Sequence, residues 1–389
     1  MKHRRVKITG IGPITPAGIG REAFLRGILE PVSRVSAMEV GDGDAVSLVA
    51  AAGVKDFRVG AFALDAGHLQ SPRHVQFALA AAVLALRDAG LSLADARKRK
   101  PYVAVAFPMA ERLTFTEPIE GALGNGAEPQ VAQEAVAGLV GARAGEAGER
   151  RFLSSLDAIG HAAGLVASGE VDLAICGGAD APLTATILAE LKSLGLSPGH
   201  AQEPGRVCRP FDLWRTTGVV GEGACLFVLE PEESPHRAHA RVAGATRAAE
   251  TAGHPWEALG EALRLTLGNA GVRPAEIDCI HADGTGNKAL DQAEAAALGA
   301  GFGARLASIP VVAIKGAVGN ALGAAGAIQI GCAALGMRHS IIAPTVNWLH
   351  PDPSCPLNLS ASSRLLATSM ALVVDRDPGG SISCLVLQQ

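Results

Sequence analysis

The sequence is first defined by what it lacks. Its seven cysteines, at 176, 208, 225, 279, 332, 355 and 384, are odd in number and none stands in a CxxC pair, so neither a disulfide framework nor a thiolate metal knot is expected. They mostly sit in apolar runs and read as reduced packing residues, and none lies before Cys176. A basic excess is absent too. With 34 Lys and Arg against 38 Asp and Glu, the formal charge is -4, which argues against a general nucleic-acid binder. No uninterrupted apolar run reaches the ~18 to 20 residues of a membrane span. The basic start Met1-Lys2-His3-Arg4-Arg5 leads into the glycine-interrupted Val6-Lys7-Ile8-Thr9-Gly10-Ile11-Gly12 rather than a signal-peptide apolar region. No residues have metal-ligand spacing, and no glycine-rich turn carries the lysine and serine or threonine of a phosphate loop. The expectation is a soluble, cytoplasmic chain with no cofactor and no metal, partnered by proteins or small molecules rather than by nucleic acid or membrane.

What is present is 389 residues of which 48% are hydrophobic, enough for one large core or two fused ones. Short apolar strands alternate with alanine-rich helical stretches, the pattern of an α/β protein. The spacing predicts helices over 77–90, stopped by Gly90, over 156–168 and over 321–337; the near-absence of polar residues in the first makes it buried on most sides. A weak duplication is visible. Gly221-Glu222-Gly223 runs into the apolar strand Ala224–Glu230, and Gly379-Gly380 runs into Ser381–Gln388. The polar stretch 230–237 reads as a linker, giving halves at 1–230 and 238–389. Packed together they would form a five-layer αβαβα sandwich. The segment 108–150 is expected to be loop-rich.

These motifs resemble the β-ketoacyl synthases of the thiolase superfamily. The resemblance rests on Arg4–Gly12 with Thr15-Pro16-Ala17-Gly18, on Ser168–Gly178, on Arg209-Pro210-Phe211-Asp212 followed by Gly221-Glu222-Gly223, and on Gly319–Ala327. It implies a thiolase-like fold and, in active members, a cysteine at the N-terminus of a buried helix, two histidines and two backbone N–H donors around an oxyanion. Here the resemblance places Phe152 at the nucleophile position, Asp283 and Asn320 at the two imidazole positions, and Pro378, which has no N–H to give, in the oxyanion loop. Within the superfamily the pattern is similar to the chain length factor, the non-catalytic β subunit of type II polyketide ketosynthases. Ser155-Leu156-Asp157-Ala158, Ala282-Asp283 and Ala371–Arg376 before Gly379-Gly380 carry that likeness. Many such subunits have glutamine where Phe152 stands, so the departure points to a divergent branch, with reduced polyenes as a candidate product class.

The resemblance implies a pseudoenzyme that pairs with a catalytic ketosynthase α subunit and meets an acyl carrier protein through that complex. Side chains from the 108–125 loop would cap the tunnel in which the partner's acyl chain grows. Lys315, Asp291 and Glu294 match polar family positions and are expected to form a buried network holding the halves together. Asp283 is expected to hydrogen-bond backbone N–H groups of its own glycine turn, Asn320 similarly, and Phe152 either to plug the acyl pocket or to be core. His161 is expected at the surface or an interface, and Arg97-Lys98-Arg99-Lys100 either as a solvated charge run or as a steering patch for an acidic carrier. Two other readings stay open. One is a self-sufficient acyltransferase or hydrolase using Asp283, His281, Ser154 or Ser155, the serines otherwise being helix caps; the other is a carrier-binding scaffold without a tunnel role.

Overall fold

A computed structural model describes residues 4–41, 47–106, 132–142, 152, 154–251 and 254–389. The 108–125 loop, expected to cap the tunnel, therefore lies outside the described residues. Of the 108–150 stretch, the described part contains a helix, α2, at Ala132–Val140, rather than loop alone.

The first strand, β1 (Val6–Thr15), is buried along its whole length. Its glycines explain the local punctuation. A Cβ on Gly10 would lie 2.0 Å from the Ala85 carbonyl oxygen, and one on Gly12 2.0 Å from that of Ala81. Helix α1 (Arg73–Asp88) thus lies directly on the strand's backbone, and only a residue without a side chain admits that approach. The helix begins four residues before the expected start because Pro72 precedes it, and Gly90, at φ +74°, turns the chain away after it.

Each half then repeats one strand order. In the first, β1 pairs antiparallel with β4 (Gly223–Pro231), which pairs antiparallel with β3 (Ala174–Asp180), which pairs parallel with β2 (Tyr102–Ala106). In the second, β5 (Ala240–Ala249) pairs antiparallel with β9 (Ser381–Gln388), β9 antiparallel with β8 (Met370–Arg376), and β8 parallel with β6 (Cys279–His281). The short β7 (Val311–Val312) extends the second half beside β6. The halves meet where Val6, Lys7 and Ile8 of β1 pair with Val242, Arg241 and Ala240 of β5, closing one continuous ten-stranded sheet.

Two helices, α3 (Ser155–Ser168) and α6 (Ala325–His339), pack on each other and on strands from both halves. They form the middle layer, and the largest apolar cluster, including Ile11, Leu156, Ile159, Phe227, Ile328 and Val373, surrounds them. Outside, α1 and α2 cover the first half-sheet; α4 (Leu259–Ala270) covers the second, with α5 (Lys288–Phe302) beside it. The result is the five-layer αβαβα arrangement. The 230–237 stretch needs one correction: Glu230 is the penultimate residue of β4, fully buried, and bound by Thr9 and Arg99. The connection that follows is pinned by Lys7, whose Nζ donates to the carbonyls of Glu232, Ser234 and His236. No single helix among the described residues is long and apolar enough to cross a membrane.

Candidate functional site

The middle-layer helices bring the candidate residues together at their N-termini. Ser154 caps α3, its Oγ accepting from the Leu156 N–H at 3.2 Å. Ser155, fully buried, accepts the Ala327 N–H at 2.8 Å and so ties α3 to the first turn of α6. Both serines named as possible nucleophiles thus accept a backbone N–H at a helix N-terminus. Just before the helix, Phe152 bridges to Ala106 of β2 and is completely buried. Its ring lies 5.4 Å from that of His161, which in turn packs 5.7 Å from Tyr102. His161 is thus half-buried within an aromatic stack.

The loop 282–287 folds differently from the expectation for Asp283. Its backbone N–H groups are taken by two acids from α5: Glu294 accepts from Asp283 and Gly284 at 2.7 and 2.9 Å, and Asp291 accepts from Thr285 and Gly286 at 2.9 and 3.1 Å. Gly284 and Gly286, at φ +48° and +85°, permit the sharp path. The Asp283 carboxylate is left to face inward and receives a hydrogen bond from Lys315 Nζ, with both side chains at most 2% exposed. Asp291 also accepts the Phe211 N–H at 2.8 Å and approaches the fully buried Arg215 at 3.4 Å. Of Lys315, Asp291 and Glu294, it is therefore Asp291 that reaches into the first half. Asn320 pairs its backbone with Val219 and Gly221, and its Oδ1 accepts the Leu322 N–H at 3.1 Å.

The last loop closes on itself. Asp377 Oδ1 accepts the Gly379 N–H at 2.7 Å and the Ser381 N–H at 3.3 Å, and its carbonyl accepts from Gly380. Pro378 contributes no backbone donor to this turn.

Sequence reasoning missed one member of the cluster. Asp375, at the inner end of β8 and 3% exposed, accepts from Ser154 Oγ at 3.0 Å. Its signal was available: it is the first acid to interrupt the apolar run Ala371–Val374. Burial, reinforced by the charge of Asp283 and opposed by Lys315, raises its carboxyl to about 7. Burial first, then Asp283, pushes Glu294 well above the usual carboxylate range. Asp291 is raised to about 6 by burial, against hydrogen bonds from Phe211, Thr285 and Gly286 and the charge of Arg215. Burial works to lower Lys315, but the charges of Asp283 and Asp375 overcome it and leave the ammonium above its ordinary value. His281, in β6, is brought down to about 4 by burial, and its Nδ1 finds no partner among the described residues. It is a neutral core imidazole at physiological pH.

All seven cysteines are buried and unpaired by disulfides. Burial pushes every thiol up, Cys208 and Cys279 to about 12, which disfavours the thiolate form. Among the described residues no three His, Cys, Asp or Glu converge as a metal site. In the 97–100 run, Arg97 binds the Leu139 carbonyl and Arg99 binds Glu230 and the Asp172 carbonyl. Two of its four side chains are thus tied back onto the fold while remaining exposed.

Two family models match the chain: the N-terminal domain of β-ketoacyl synthase over residues 3–234 and its C-terminal domain over 238–349. The chain belongs to the β-ketoacyl synthase family. Its architecture is the thiolase-like ketosynthase fold. A Streptomyces halstedii protein assigned as polyketide β-ketoacyl synthase 2 is 32% identical, covering 99% of this chain and 97% of its own. A Streptomyces cyaneus protein assigned as polyketide β-ketoacyl synthase 1 is 30% identical, over 99% and 98%. Among solved structures, the ishigamide ketosynthase/chain length factor aligns with a TM-score of 0.84 at 28% identity, over 100% of this chain and 99% of the other. A type II PKS acyl-carrier protein in complex with its ketosynthase bound to the hexaketide aligns with a TM-score of 0.82 at 25% identity, over 99% of each.

Proposed function

We propose that this chain is a non-catalytic chain length factor for polyketide synthesis, which pairs with an active β-ketoacyl synthase and shapes the tunnel in which the partner's acyl chain grows. One observation carries the reading. At the positions that the family resemblance assigns to a thiolate and an imidazole stand the fully buried ring of Phe152 and the buried Asp283–Lys315 ion pair. Neither arrangement is an empty active site. A phenyl ring forms no thioester, an aspartate locked to an ammonium abstracts no proton, and Asn320 and Pro378 leave the second imidazole position and the oxyanion loop without their groups.

In this mechanism the contribution is steric. Claisen condensation of carrier-bound malonyl units takes place at the partner's cysteine and histidines, in a pseudo-symmetric heterodimer with an interface of the obligate kind. The likeness to structures solved as a ketosynthase with its chain length factor, and as a ketosynthase with its carrier protein, supports both partners. The test is co-expression with a catalytic ketosynthase, purification through a tag on this chain alone, and an assay of malonyl-carrier-dependent extension. A stoichiometric complex whose activity vanishes when the partner's cysteine is replaced is the expected result. A stable homodimer that turns over an acyl thioester unaided would overturn the reading and make Ser154, Ser155 and His281 the residues to replace.

A further inference from the structure

Five arginines gather at one end of the first half. A hollow of about 480 Å³ opens between the short helix Arg21–Leu29 and the end of α1, lined by Arg21, Glu22, Arg26, Arg87 and Asp88 together with apolar side chains. Beside it stand Arg237, in the connection between the halves, and Arg338 and His339, in the last turn of α6. Two acids face them. Asp88 is already engaged: its Oδ1 accepts from Arg21 at 2.5 Å, and its Oδ2 accepts the Ile11 N–H at 2.9 Å and meets His239 Nε2 at 2.7 Å. Glu22 lies 3.6 Å from Arg21 with its side chain 84% exposed. Arg338 meets the Ala238 carbonyl at 3.3 Å and the His239 ring at 3.4 Å, but no carboxylate. Arg26, Arg87 and Arg237 are exposed, and among the described residues no carboxylate pairs with them.

Helix ends explain part of this gathering. A cation in a last turn complements the helix dipole, which accounts for Arg26, Arg87 and Arg338 one at a time. It does not account for Arg21, which opens its helix, where a cation is disfavoured, or for Arg237, which belongs to no helix. The group also repels itself: burial first, then the charges of Arg237 and Arg21, lower Arg338 from its ordinary value against the pull of Asp88. We propose that this hollow binds a small phosphate ester, with Arg21, Arg26 and Arg87 as its ligands and Arg237 and Arg338 adding charge at the rim. Guanidinium forks match phosphoryl oxygens two at a time, and an anion here converts mutual repulsion into attraction. Half-buried Ile19 and Leu84 line the same hollow, so it suits an ester carrying an apolar group better than the bare ion. Its volume falls within the range of about 300–1,000 Å³ typical of small-molecule sites. The site is separate from the cluster at the head of α3 and does not depend on the function proposed above.

The test titrates phenyl phosphate into the whole chain by calorimetry at low salt, co-purified with a ketosynthase if it is made as a complex. Saturable one-to-one binding is expected, tighter than that of inorganic phosphate and weakening as salt rises. The double variant Arg26→Gln with Arg87→Gln removes two exposed side chains that carry no ion pair, and should weaken binding at least about tenfold. Binding that is absent, or equal in wild type and double variant, would overturn the proposal. Saturable binding of polyglutamate with none of phenyl phosphate would overturn it too, and would make this a face for an acidic protein. The wild type alone supplies a second readout. Burial first, then Arg338, Arg21, His239 and Arg237, lower the His339 imidazole, so a bound anion should move its NMR titration to higher pH; a titration unchanged at saturating ligand would place the phosphate elsewhere.

Discussion

Replacing Lys315 by methionine tests the central ion pair most directly. The ammonium and the Asp283 carboxylate are 2% and 1% exposed, and Asp283 Oδ2 already lacks a partner among the described residues. Methionine fills a similar volume but leaves Asp283 as a buried, uncompensated charge beside Asp375. Breaking such a pair from one side costs about 3–5 kcal/mol, a large fraction of the roughly 5–15 kcal/mol that holds a domain folded. Removing both charges together, as Lys315→Met with Asp283→Leu, takes away the uncompensated charge and should recover most of the loss, since buried pairs replaced by apolar groups are often neutral. The assay is denaturant unfolding of the four proteins of the double-mutant cycle. Strong coupling, with the double variant far more stable than the sum of the single losses, is expected. If Lys315→Met costs less than about 1 kcal/mol, as exposed pairs do, the pair is not buried as described and the account of the site is wrong.

Phe152→Ala should cost about 3–5 kcal/mol, because the ring is fully buried against His161 in the middle layer; thermal unfolding measures it, and a change within error would place the ring outside the core. Ser155→Ala leaves the Ala327 N–H buried without its acceptor, an expected loss of about 1–3 kcal/mol, again read by denaturant unfolding. Thiol labelling at neutral pH should modify none of the seven buried cysteines in the folded chain and all seven after unfolding; fast native labelling of one would reveal a reactive thiol where none is expected. Gly12→Ala should prevent α1 from seating on β1, since the added carbon meets the Ala81 carbonyl at 2.0 Å, and soluble yield together with far-UV circular dichroism would report it.

The sequence by itself determined what local chemistry can determine. Gly90 and Gly169 stop their helices near the expected residues, because a left-handed terminus is a property of a few consecutive residues. The lack of any cysteine before Cys176 and the lack of an N–H on Pro378 are likewise properties of single side chains, true in any fold. The repeat of a glycine turn entering an apolar strand pointed to two like halves, and the strand order repeats between them. Only the tertiary structure decided where charges meet. Asp283 was expected to hold its own turn, but Glu294 and Asp291 do that from α5, which turns Asp283 toward Lys315. Glu230 looked like linker, yet its burial depends on Thr9 and Arg99. Asp375 stood out as a polar break in an apolar strand, but its partner Ser154 lies 221 residues away. Burial and pairing are set by what the rest of the chain brings alongside, and that is what gives one aspartate an ammonium and leaves another to share a hydroxyl.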